Sequence, residues 1–129
     1  MDTNPPMESA LGSPVVAAVD DNPMVLRMLG DVLSMSGYRT LLFDNPRTAL
    51  SGIPSAGVDL VITDRDMPQC SGPELAQQLR RGWNGHGPSL VLLTGNASEL
   101  APHDRALFDL VLRKPIAPHE LLAAIRGLR

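Results

Sequence analysis

Short apolar runs and longer amphipathic stretches alternate along this chain from residue 15 onward, regularly enough to predict its elements. Val15–Val19, Arg39–Phe43, Val58–Thr63, Leu90–Thr94 and Leu110–Leu112 are brief and rich in aliphatic residues, so each predicts a strand. Between the first two, Val25, Met28, Leu29, Val32, Leu33 and Ser36 recur at helical spacing. Asn22 stands where an N-cap belongs, Pro23 suits the first helical position, and Gly37 ends the pattern. Ser71 to Glu74 has capping-box spacing with Pro73 inside it, which predicts a helix with core face Leu75, Ala76 and Leu79, ending at Gly82. Leu121, Leu122, Ile125 and Leu128 form the stripe of a last helix. Asn45–Leu50 and Ser98–Leu107 predict shorter helices, the second weakened by Pro102.

The resulting order is βαβαβαβαβα. Strict alternation implies parallel strands joined by right-handed crossovers, hence a doubly wound α/β fold with a five-stranded sheet and helices on both faces. Neither an internal repeat nor a second domain is visible in the pattern. Residues 1–14, acidic and proline-bearing, are expected to be a disordered leader, and residues 15–129 the folded domain.

Ligands of such sheets bind beyond the carboxyl ends of the strands. The first strand runs into two adjacent carboxylates, Asp20 and Asp21, which repel one another unless a cation intervenes. The third ends at Asp64 in VDLVITDRDMP, the fourth at Thr94 in LVLLTGN, and the fifth at Lys114 in LVLRKP. Any one polar strand end is ordinary, because loops are wet. Three carboxylates, a hydroxyl and an amine converging from four strands fit one chemistry. Clustered carboxylates suit a hard divalent cation such as Mg²⁺, and a carboxylate beside such an ion can attack phosphorus. Thr94 could donate to a phosphoryl oxygen while Lys114 offsets its charge, and Gly95 leaves room for the group to approach.

Composition narrows the setting. With 129 residues the chain is long enough to bury a core without staples, and its one cysteine, Cys70, permits no internal disulfide. A reducing, cytoplasmic compartment is expected. No apolar stretch approaches the ~20 residues of a membrane span. The balance of 14 acidic to 11 basic residues, with no basic cluster beyond Arg80-Arg81, argues against nucleic-acid binding by this chain alone.

In VDDN, TDRDMP, Gly72, Thr94-Gly95 and Lys114-Pro115, taken in that order, the sequence resembles the receiver domain of two-component response regulators. The likeness covers about residues 15 to 128. It implies a flavodoxin-like sheet of order 2-1-3-4-5 and a signalling phosphoacceptor rather than an enzyme acting on free substrates. By the same resemblance Asp64 takes a phosphoryl group from a phosphohistidine on a histidine kinase or phosphotransfer protein, and catalyses its own phosphotransfer and autodephosphorylation. Asp21, Asp64 and the backbone carbonyl of Asp66 would ligate Mg²⁺, with Asp20 acting through water. Thr94 becomes the switch hydroxyl and Lys114 the phosphate partner, and the Lys114-Pro115 bond is expected to be cis. Asp66 and Asn96 occupy positions that tune phosphoryl lifetime in the family. Two departures concern signalling: Val111 stands where relatives usually carry Tyr or Phe, so an inward-swinging ring is not available, and the segment from Thr94 to Lys114 is short with Pro102 inside it, so the fourth helix is expected to be abbreviated or irregular.

Other residues have plainer readings. His86, His103 and His119 lack metal-ligand spacing and read as surface residues, Cys70 as an inert loop thiol, and the methionines as core filler. Trp83 reads as packing over the third helix. Two rival functions remain. A pseudo-receiver would keep the fold without phosphorylation, yet every acceptor-site residue is present. A haloacid-dehalogenase-like phosphatase would also use an Asp nucleophile with a second Asp two residues on, but places its nucleophile early and its acidic pair late, the reverse of the order here.

Overall fold

The computed structural model describes residues 14–54, 56–83 and 87–128. Its strands are β1 (Val15–Val19), β2 (Arg39–Phe43), β3 (Leu60–Asp64), β4 (Ser89–Thr94) and β5 (Leu110–Arg113). Helices α1 (Pro23–Met35), α2 (Pro46–Gly52), α3 (Gly72–Arg81), α4 (Pro102–Arg105) and α5 (Pro118–Arg126) alternate with them, and a 3₁₀ turn at Ala97–Glu99 precedes α4. All pairings are parallel and the sheet order is β2-β1-β3-β4-β5. This is the doubly wound α/β fold that the alternation predicts.

The core divides into two layers because strand side chains alternate between faces. Ala17, Val19, Val61, Leu90 and Leu92 face α2 and α3 through Ala49, Leu75, Ala76 and Leu79. Val16, Ala18, Leu60, Ile62, Val91 and Leu93 face α1 and α5 through Leu29, Leu33, Leu121 and Ile125. β1 and β3 are buried along their whole length, as a strand covered on both faces must be.

Local signals act as read. Asn22 Oδ1 accepts from the N–H groups of Met24 and Val25 at 2.9 and 3.3 Å, starting α1. Ser71 and Glu74 bond reciprocally at 3.2 and 2.8 Å, starting α3. Gly37 has φ +94°, the left-handed conformation that a helix exit favours in glycine.

Three expectations shift. β3 begins at Leu60, where pairing with Val16 of β1 starts, so Val58 lies before the ladder, and its last residue is Asp64 itself. The predicted Ser98–Leu107 helix is the 3₁₀ turn and the four-residue α4, because Pro102 cannot donate into a helix running through it. The buried stripe of α1 is Leu26, Leu29, Gly30 and Leu33, so Val25, Met28 and Val32 lie on its flank, and Met24 and Met35 are exposed at 81% and 87% rather than filling core. Trp83 is half-buried against the α2–α3 layer, and its ring lies where a side chain at Gly87 would go. His86 and the leader up to residue 13 lie outside the described residues. Among the described residues, no helix is long and apolar enough to cross a membrane.

Candidate functional site

Parallel register brings the strand-end residues together at one edge. β1 and β3 are central strands, so Asp20, one residue past β1, and Asp64, closing β3, are neighbours. Asp21 follows in the β1–α1 loop, and carboxylate oxygens of Asp20, Asp21 and Asp64 all lie within 4.8 Å of one another. Thr94 closes β4 next to β3, and Lys114 follows β5, its backbone N–H donating to the Thr94 carbonyl at 2.8 Å. The Lys114-Pro115 bond is cis.

Lys114 Nζ answers the charge of the acid pair from within the chain. It donates to Asp64 Oδ1 at 2.9 Å and to Asp20 Oδ2 at 3.2 Å. The remaining oxygen of Asp20 accepts from the Asn22 N–H at 2.9 Å. Asp20 is fully buried and Asp64 is 9% exposed, while Asp21 faces solvent. Burial pushes the Asp64 carboxyl above its ordinary pKa; the Lys114 hydrogen bond pulls the other way, and the Asp20 charge adds to the rise. Burial also works against charge on Lys114, but its hydrogen bond to Asp64 and the negative charges of Asp20 and Asp64 outweigh it and raise its pKa. One amine thus serves two buried carboxylates beside a third exposed one, a cluster short of positive charge.

The surrounding backbone is fixed from three sides. Arg65 N–H donates to the Leu93 carbonyl at 3.0 Å, and Gly72 N–H donates to the Arg65 carbonyl at 2.7 Å. Gly72 is required by space: a Cβ there would lie 2.4 Å from the Asp64 carbonyl oxygen. Thr94 is 1% exposed, and its hydroxyl oxygen accepts from the Asn96 N–H at 3.2 Å. Asp66 projects its side chain into solvent.

Acids elsewhere in the sheet have structural duties. Asp59 and Asp109, at the opposite edge, accept from the N–H groups of Val15 and Leu90 at 2.8 and 2.7 Å. The thiol of Cys70 is half-buried, and burial followed by the nearby Glu74 charge raises its pKa, which suppresses reactivity. His103 and His119 are exposed.

Two features escape the sequence pattern. Arg65 hydrogen-bonds the Asn96 carbonyl at 3.2 Å, spanning two loops that no local spacing links. Val25, Met28, Leu93, Lys114, Pro115 and Ile116 line an apolar groove of about 350 Å³ beside the acid cluster. The only sequence signal for the groove is that Val25 and Met28 are apolar positions lying off the centre of the α1 stripe.

Comparisons with known proteins bear on the family and the fold. The family model described as the response regulator receiver domain matches residues 16–126. The sensor histidine kinase GacS of Pseudomonas protegens is 33% identical over 119 residues, covering 88% of this chain and 13% of that protein. The response regulator MprA of Mycolicibacterium vanbaalenii is 36% identical over 115 residues, covering 88% of this chain and 49% of that protein. The chain therefore spans at most about half of these relatives. A solved structure of the Thermotoga maritima response regulator TrrA, in complex with Mg²⁺-BeF, superposes with a TM-score of 0.81 at 28% identity, covering 90% of this chain and 99% of that one.

Proposed function

Because the chain belongs to the response regulator receiver domain family, a family of two-component signalling domains, we propose that residues 15–129 are a phosphoacceptor module loaded at Asp64. The observation that supports it most is the placement of Asp64 at the end of β3, 2.9 Å from the Lys114 amine and within 4.8 Å of the Asp20 and Asp21 carboxylates. In this reading an Asp64 carboxylate oxygen attacks the phosphorus of a phosphohistidine. The O–P bond forms as the P–N bond breaks, and the imidazole leaves as the neutral base on taking up a proton. Lys114 holds the charge that develops on the phosphoryl oxygens, and the Thr94 hydroxyl donates to one of them once loaded. Hydrolysis of the acyl phosphate by water regenerates Asp64.

An all-oxygen cluster of three carboxylates suits Mg²⁺, which favours hard oxygen ligands. Asp21, Asp64 and the backbone carbonyl of Asp66 would hold it, with Asp20 acting through water. Bound there, Mg²⁺ supplies positive charge to the phosphoryl oxygens that the single lysine only partly balances. The phosphodonor is a histidine kinase or a phosphotransfer protein, and the apolar groove beside Lys114 offers such a partner a surface next to the acceptor. The output is a change in protein contacts, not nucleic-acid binding by this chain, and the lone thiol suits the cytoplasm.

Incubation with Mg²⁺ and acetyl phosphate tests the reading by intact mass. One phosphoryl group is expected on the wild type and none on Asp64→Asn. A wild type that takes up no phosphoryl group would favour a pseudo-receiver. Equal labelling of the mutant would remove Asp64 from the role.

A further inference from the structure

Val111, half-buried in the α2–α3 layer, brings no ring to the switch, so a change at Asp64 needs another route to the loop after Thr94. Asn96 is the node of that loop. Its N–H is bound to the Thr94 hydroxyl oxygen at 3.2 Å, and its side-chain oxygen accepts from the Ser98 N–H and hydroxyl at 3.2 and 2.6 Å. Its carbonyl accepts from the Glu99 N–H at 3.3 Å within the turn and, across the gap between loops, from Arg65 Nη1 at 3.2 Å. Arg65 directly follows Asp64, and its own backbone is pinned to β4 through Leu93 and to α3 through Gly72. The guanidinium therefore reaches out from a fixed point. Its ion pairs to Asp66 and Glu99 are both 3.8 Å long to carboxylates that are 85% and 65% exposed, and contribute little. The bond to Asn96 is the contact that joins the two loops.

We propose that Arg65 is a positioning residue that couples the acceptor to the switch hydroxyl: it holds the Asn96 carbonyl, which restrains the Asn96 backbone, and the Asn96 N–H on the other side of the Cα in turn fixes the Thr94 oxygen. The proposal rests on the phosphoacceptor reading. Thr94 is buried to 1% exposure, so its hydroxyl orientation is set by its few partners, and Asn96, held by its N–H on one side of the Cα and by its C=O on the other, presents its N–H to that oxygen in one arrangement. Loading at Asp64 then draws the Thr94 hydroxyl toward the phosphoryl group, and the loop after β4 follows through the Asn96 N–H while Arg65, fixed beside Asp64, keeps the Asn96 carbonyl tethered to the acceptor strand.

The test is amide hydrogen exchange in the unphosphorylated protein, followed by the beryllofluoride response with Mg²⁺. Arg65→Met keeps the apolar stem and removes the donors; Arg65→Leu, which also lacks donors, stands in should the methionine variant fail to fold. Asn96 N–H exchange is expected to accelerate about tenfold, the effect of losing one hydrogen bond to a charged group. Exchange of Val61 and Ile62 in β3, which reports global opening, stays unchanged. In a Thr94→Ala background, where the Asn96 N–H already lacks its partner, the same substitution adds less than about twofold. The beryllofluoride shifts at Gly95–Ser98 fall below about half of the wild-type size while those at Asp20–Asp21 persist. Unchanged Asn96 protection, full-size loop shifts, or an undiminished effect in the Thr94→Ala background would each overturn the coupling. A wild type that takes no phosphoryl group from acetyl phosphate would overturn the functional reading and this proposal with it, whereas normal uptake with wild-type behaviour of Arg65→Met would overturn the coupling alone.

Discussion

Lys114→Met removes the one amine that serves two buried carboxylates while keeping the apolar length of the side chain. Its hydrogen bonds at 2.9 Å to Asp64 and 3.2 Å to Asp20 disappear, leaving Asp20 at 0% side-chain exposure and Asp64 at 12%. Breaking a buried pair by deleting one partner costs about 3–5 kcal/mol. Lys114 is itself 27% exposed and water reaches the Asp21 side of the cluster, so the lower end applies, about 3 kcal/mol. For a domain of this size that lowers Tm by about 10 °C. The penalty depends on ionised carboxylates. Asp64, already raised above its ordinary value of 3.8 by burial, takes up a proton more readily in the folded state. The Asp64 part of the deficit is therefore full at neutral pH and shrinks as pH falls through the raised value. Mg²⁺ should shrink it too, by supplying positive charge to the same oxygens. Thermal unfolding of wild type and mutant at neutral and acidic pH, with chelator and with Mg²⁺, measures all three effects. A metal-free loss below about 1 kcal/mol, the scale of an exposed ion pair, would refute the reasoning. So would a deficit indifferent to both acid and Mg²⁺.

The same pair gives an alkaline signature: its contribution is complete below the ordinary lysine value of 10.5 and lost as pH rises through the raised folded value, so wild-type and Lys114→Met unfolding curves should converge there. Asp21→Asn removes an exposed charge from a crowded cluster, so it should raise the metal-free Tm slightly and abolish Mg²⁺-dependent stabilisation; full retention of the metal response would exclude Asp21 as a ligand. Gly72→Ala drives a Cβ to 2.4 Å from the Asp64 carbonyl oxygen, and chemical denaturation should show a loss of about 2 kcal/mol, whereas a neutral substitution would mean that the loop gives way. With beryllofluoride and Mg²⁺, amide shifts should gather at Asp20–Asp21, Asp64–Ser71 and Thr94–Leu100 and stay small along Leu121–Leu128; equally large shifts through Val111 and the last helix would show that another residue replaces the ring.

Most of the architecture was legible because each signal was local and unopposed. β1 and β2 were readable to the residue, and Asn22 and the Ser71–Glu74 box cap the helices they announce. The gathering of Asp20, Asp21, Asp64, Thr94 and Lys114 followed from parallel topology, since strand-end residues must share an edge. What escaped depended on distance or rotation. The α1 stripe was misplaced by one position because Leu26 and Val25 are equally apolar, and only packing on β1 and β3 selects Leu26. The Arg65–Asn96 bond spans 31 residues between loops, and an arginine beside an aspartate reads as ordinary solvated charge until the fold brings Asn96 to it. Asp59 and Asp109 carry the same chemistry as Asp64 but lie before β3 and β5, which sends them to the other edge as strand caps.

The central claim, that Asp64 carries the phosphoryl group, is tested most directly by trapping the bond where it forms. Borohydride reduces an acyl phosphate on aspartate to homoserine, so protein loaded with acetyl phosphate and Mg²⁺, reduced and mapped by peptide mass spectrometry, reports the modified position. The account predicts homoserine at residue 64 and at no other aspartate. Homoserine at Asp20, Asp21 or Asp66, or none in a sample that has gained a phosphoryl group, would contradict it.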